Sequence, residues 1–164
     1  MAPEPMPVDE PPPPANQRGV AVANAIAAKG AGAVSLTTLG AAPTGGILLG
    51  AGVSTPLGGE TFAGAVTLQS DVSIDTDSTD NNTAGGNVLF TTAASINGAK
   101  SLKIDAGTAS ALFNANIGAT TALASLTITE ADGGVIFGQA DTATGDAGPV
   151  TTITTTGAIN IGET

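Results

Sequence analysis

Short apolar runs recur along this chain, separated by polar stretches of similar length. Thr61-Phe62-Ala63, Val88-Leu89-Phe90, Ala111-Leu112-Phe113 and Val135-Ile136-Phe137 each carry one phenylalanine, and the four rings fall 28, 23 and 24 residues apart. About a dozen residues after each comes a second, alternating run: Asp71-Val72-Ser73-Ile74-Asp75, Ser101-Leu102-Lys103-Ile104-Asp105, Ser125-Leu126-Thr127-Ile128-Thr129 and Thr151-Thr152-Ile153-Thr154. Val66 and Leu68, and Ile159 and Ile161, alternate in the same way. A period of two turns one side of a strand inward and leaves the other to water. A unit of roughly 20 to 30 residues carrying two short strands, repeated, marks a chain that stacks coil on coil. The pattern therefore predicts an all-β fold, a parallel β-helix (β-solenoid) of about four to five coils. Its expected core is Phe62, Val72, Ile74, Phe90, Leu102, Ile104, Phe113, Leu126, Ile128 and Phe137.

The chain ahead of these repeats reads differently. Residues 1–15 hold seven prolines, which fix φ and remove amide donors, so an extended arm is expected, read as a solvated linker. Residues 16–29 are rich in alanine. With Asn16 as cap, Gly30 as stop, and Val22 and Ile26 four apart, they predict one short helix, a candidate cap on the first coil. Residues 30–59 are a Gly/Ala-rich entry segment, read either as two weak strands at Val34-Ser35-Leu36 and Ile47-Leu48-Leu49 entering the stack or as a linker wrapping it. The repeats proper are assigned to residues 60–164. Asn81-Asn82, Gly85-Gly86-Asn87, Asn97-Gly98, Gly133-Gly134 and Gly148-Pro149 supply the turns between runs.

Gly86-Asn87-Val88-Leu89-Phe90, Asn97 through Ile104, Phe113 through Thr129 and Gly133-Gly134-Val135-Ile136-Phe137 resemble the β-strand repeats in passengers of filamentous-haemagglutinin-like and autotransporter bacterial surface proteins. The resemblance covers roughly residues 60 to 162 and implies a right-handed parallel β-helix displayed at a cell surface. Asn16-Gln17-Arg18 with Val20-Ala21-Val22-Ala23 is also similar to the short helical segment near autotransporter barrels.

Composition narrows the function. Fourteen acids against four bases give a net charge of −10, which repels a phosphate backbone and argues against nucleic-acid partners. Cysteine and histidine are absent, so disulfides, thiolate or imidazole metal sites and histidine acid–base chemistry are excluded. Leu, Ile, Val and Phe number 36 of 164 residues, enough for a narrow stacked core but not for a thick globular one. No apolar run approaches the roughly 20 residues that a membrane-spanning helix needs.

Four clusters invite a chemical reading. Asp71, Asp75, Asp77 and Asp80 offer hard oxygen ligands and are the candidate calcium site. Their spacing lacks the EF-hand glycine and terminal glutamate, and a solvated acidic loop is the favoured alternative. Asp75 with Asp105, or Glu130 with Asp132, are carboxylate pairs of the kind that hydrolyse glycosides, but no Trp or Tyr is present as a sugar platform. Threonine-rich strands resemble ice-binding ladders, yet Ser73, Asp75, Lys103 and Asp105 at the equivalent positions break the grid. The glycine pairs lack the lysine that a phosphate loop requires.

The reading that follows is a non-catalytic extracellular structural protein at the bacterial cell surface. It would build a filament from copies of itself by end-to-end stacking and would need no cofactor. The first alternative is a piece of an adhesin passenger that attaches to a host or matrix surface, and the second is a polysaccharide-acting β-helix enzyme.

Overall fold

Hydrogen bonds between successive repeats, rather than within them, organise this chain. The computed structural model describes residues 19–28, 32–38, 46–77, 84–138 and 152–162. Fifteen strands follow one another: β1 (Val20–Val22), β2 (Ile26–Ala27), β3 (Val34–Thr37), β4 (Ile47–Leu49), β5 (Val53–Ser54), β6 (Glu60–Ala63), β7 (Val66–Leu68), β8 (Val72–Asp75), β9 (Val88–Phe90), β10 (Ile96–Asn97), β11 (Ser101–Asp105), β12 (Ser110–Phe113), β13 (Ser125–Glu130), β14 (Gly134–Phe137) and β15 (Ile159–Ile161). They pair into three sheets, in the orders β1-β4-β7-β10, β2-β5-β8-β11-β13-β15 and β3-β6-β9-β12-β14. Each circuit of the chain lays one strand on each sheet in parallel with its predecessor, which makes the fold a β-solenoid.

Four rungs carry all three strands: β1–β3, β4–β6, β7–β9 and β10–β12. In the fifth, Ile117 bridges Ile96 where a first strand would lie, and Ile153 in turn bridges Ile117. The repeat read from sequence has two strands, and the third was hidden by its length. The first-sheet strands are three residues or fewer, β10 only two, too few to display an alternation.

The short helix expected over residues 16–29 is a correction. Within its described part, residues 19–28, the chain forms β1 and β2 instead. Val20, Ala21 and Val22 pair in register with Ile47, Leu48 and Leu49, and the Val20 N–H donates to the Gly46 carbonyl at 3.1 Å. Alanine content favours a helix by a few tenths of a kcal/mol per residue, but in-register pairing on a finished rung overrides so weak a preference. The arm at residues 1–15 lies outside the described residues.

Register repeats so strictly that the core is a set of columns. Ile26, Val53, Ile74, Ile104, Ile128 and Ile161 form one through the second sheet. Val20, Ile47, Val66, Ile96, Ile117 and Ile153 form another through the first. In the third sheet Leu36 is followed by Phe62, Phe90, Phe113 and Phe137. Their rings stack at 4.7, 5.2 and 5.1 Å between centroids, close to the ~4.8 Å spacing of strands in a sheet. Phe62, Val72, Ile74, Phe90, Leu102, Ile104, Phe113, Leu126 and Ile128 are buried, and Phe137 is half-buried.

Candidate functional site

The chemistry collects at the corner where the chain leaves the second sheet for the third. Asp75, at the end of β8, is in register with Asp105 on β11, and Asp105 with Glu130 on β13. The sequence explains the pile of acids. Once Ile74, Ile104 and Ile128 are stacked as a core column, the residues that close each strand must stack as well. In β13 the register shifts after Ile104, and the bulge inserts Thr129 and brings Glu130, not Thr129, opposite Asp105. The displaced Thr129 hydroxyl donates to Asp105 Oδ2 at 2.9 Å.

Asp77 joins from the turn after β8. Carboxylate oxygens of Asp77, Asp105 and Glu130 lie within 4.8 Å of one another, and the three side chains are only 4, 8 and 5% exposed. Backbone amides supply part of the compensating field. The Asp77 N–H donates to Asp75 Oδ1 at 3.0 Å, and the Gly107 N–H to Asp105 Oδ1 at 3.3 Å. Both bases among the described residues, Lys100 and Lys103, are exposed. Three convergent carboxylates with hard oxygen donors have the chemistry to hold a divalent cation such as calcium, and Asp77, Asp105 and Glu130 are the residues that would do so.

Of the three described aspartates singled out from sequence, Asp71 stands apart from Asp75 and Asp77. Asp71 is exposed at the other end of β8, where its Oδ1 accepts the Ser101 N–H at 2.9 Å from the next rung. Asp75 neighbours the cluster through Asp105, Asp77 belongs to it, and Asp80 lies outside the described residues. Of the carboxylate pairs, Asp75 and Asp105 are in-register neighbours, whereas Asp132 is exposed beyond the buried Glu130. The matching ends of the alternating runs pointed to Asp75 with Asp105, but the bulge shifts Glu130 by one position and hid its pairing with Asp105.

A further acid escaped the sequence reading. Glu60 opens β6 in register with Val34 and Val88 and is 0% exposed. Oε1 lies 3.1 Å from the Thr55 hydroxyl, and Oε2 has no hydrogen-bond partner among the described residues. Burial pushes this carboxyl up to about 7; a proton donated by Thr55 would work against the rise, and the nearby Asp75 charge adds to it. The signal was available, because Glu60 stands two residues before Phe62 and so shares its inward face.

Outer faces carry less. A groove of about 670 Å³ runs along the first sheet, lined by Ala21, Leu48, Thr67, Asn97 and Thr121 among others, with no acid, base or aromatic ring in its wall. On the second sheet the outward positions read Ser73, Lys103, Thr127 and Asn160 in register, which is not a regular threonine grid.

Comparison with protein-family models, with curated proteins and with solved structures found no match for this chain.

Proposed function

We propose that this chain is a non-catalytic structural protein that lengthens into an extracellular, cell-surface filament by end-to-end stacking of solenoids, with further copies of itself as partner. The observation that carries this reading is the state of the last described strand. β15 pairs with β13 on one side, and its Ile159 and Ile161, in register with Leu126 and Ile128, are 46 and 52% exposed. The core columns thus reach a strand edge with their apolar residues still in water. Among the described residues no strand pairs with the far side of β15, and a free strand edge is a template for another strand.

The opposite end supports the same reading. Ile26 on β2 begins the column that Ile161 ends, and it is half-buried. Two ends built from one column are complementary in spacing and hydrophobicity. A head-to-tail contact of that kind does not close on itself and grows a fibre. The net charge of −10 opposes side-by-side clumping and favours growth along the axis.

Negative-stain electron microscopy with light scattering on the same sample tests the reading. Long uniform fibres of constant width are expected. Monodisperse particles at 15.6 kDa across concentration would overturn self-assembly and leave the adhesin-passenger reading in its place.

A further inference from the structure

Two features that work against folding share one corner of the second rung, and neither belongs to the proposed assembly surface. The turn from Thr55 to Gly58 is closed by the Gly58 N–H, which donates to the Thr55 carbonyl at 2.9 Å. Pro56 and Leu57 are its central residues, and Leu57 holds φ at 68°, a left-handed conformation for which glycine is normally chosen. Leu57 is also 45% exposed, so little packing compensates for the strain. Glu60 follows directly, sealed from solvent in a column of valines.

The Thr55 hydroxyl links the two. It has a single proton to donate, yet it lies 2.6 Å from the Gly58 carbonyl and 3.1 Å from Glu60 Oε1. The shorter contact, to an oxygen that can only accept, takes the proton. The longer contact is then a hydrogen bond only if Glu60 is a neutral acid that donates to the Thr55 oxygen. An ionised Glu60 would set a carboxylate against a hydroxyl lone pair and leave a buried charge without a counter-charge. Around it, β3 presents Val34 and β9 presents Val88, the turn presents Thr55, and the charge that faces it is the like charge of Asp75 from β8.

We propose that the β5–β6 corner is a proton-operated latch, closed while Glu60 is protonated and donating to Thr55, and released when Glu60 ionises. The linkage has a definite sign. A glutamate raised from its ordinary 4.5 to about 7 contributes its full stabilisation below the ordinary value, and that contribution is lost as pH rises through about 7. The corner is therefore tight in mildly acidic surroundings and loosens at slightly alkaline pH.

Two measurements on the full chain decide it. A carbon-detected NMR titration of the Glu60 carboxyl should give a midpoint near 7. Amide exchange at Leu57 and Glu60, whose N–H groups donate to Thr76 and Asn87 carbonyls, should speed up about tenfold from pH 6 to pH 8 after correction for intrinsic rate. In Glu60→Gln, whose amide donates to Thr55 at every pH, that acceleration should vanish. A Glu60 midpoint near 4.5, or equal acceleration in the Gln variant, would overturn the latch. Should the variant not fold, the native titration decides alone.

Discussion

The ring of Phe113 lies 5.2 Å from that of Phe90 with the planes 5° apart. Near-parallel rings at this separation fall in the range of the offset stacking that aromatic pairs prefer, and the rung spacing holds them there. Burial does most of the stabilising, since Phe113 is 0% exposed. Phe113→Ala should cost about 3–5 kcal/mol, and Phe113→Leu clearly less because leucine refills most of the volume. Phe113→Asp should abolish folding. Chemical denaturation of the three variants checks the order, and an unaffected alanine variant would contradict the column.

Sequence revealed the part of this fold where a strand is long enough to alternate. The column Phe62–Phe90–Phe113–Phe137 was visible because no phenylalanine occurs anywhere else in the chain. β11 and β13 were visible because Leu102 and Ile104, and Leu126 and Ile128, alternate over five and six residues. β5 and β10, at two residues each, carry no periodic signal at all. β1 and β2 were misread because alanine propensity is local, whereas their pairing with β4 and β5 is set by residues some 27 positions away. Glu130 could not be joined to Asp105 from sequence because a single inserted Thr129 shifts the register between β11 and β13.

Gly118 shows how little room the bridging segment of the fifth rung leaves. Its φ is 72°, its N–H donates to the Ile96 carbonyl at 2.6 Å, and a Cβ there would collide with the Thr154 carbonyl. Gly118→Ala therefore combines left-handed strain with a backbone clash, and should destabilise by at least about 1–2 kcal/mol. The thermal midpoint measures it. Gly134 offers the control: its φ is 107° but nothing lies within 4 Å of an added Cβ, so Gly134→Ala should show strain alone.

Leu57→Gly should move stability the other way. The substitution relieves a positive φ at 68° and gives up a side chain that is 45% exposed. Relief of about 1 kcal/mol outweighs the small loss of burial, although the freer glycine in the unfolded chain returns some of it. A net gain of up to about 1 kcal/mol is expected in denaturant melts. Leu57→Ala, which keeps the strain, should not reproduce it.

Asp105 is an acceptor twice over, from the Gly107 N–H at 3.3 Å and from the Thr129 hydroxyl at 2.9 Å. Asp105→Ala takes the carboxylate partner from the Gly107 N–H and leaves the Thr129 hydroxyl only the Ile104 carbonyl at 3.2 Å, at a site only 8% exposed, and should cost about 1–3 kcal/mol. Asp105→Asn keeps one acceptor oxygen, so its loss should be smaller. Equal losses in the two variants, compared in urea at neutral pH, would show that the hydrogen bonds contribute little here.

The proposed filament joint makes the most direct prediction. Ile159 and Ile161 are 46 and 52% exposed on the outermost described strand, so lysine at both positions can direct its charge to water while its stem lies along the strand. The double variant Ile159→Lys, Ile161→Lys should keep its circular-dichroism spectrum and unfold within about 1 kcal/mol of the native chain at concentrations where both are monomeric. At high concentration the native chain should form fibres and the variant should not, because a second copy would have to bury two ammonium groups against the start of its own isoleucine column. Fibres that grow equally well from the variant, with unchanged width and length by electron microscopy, would mean that the joint lies elsewhere on the molecule.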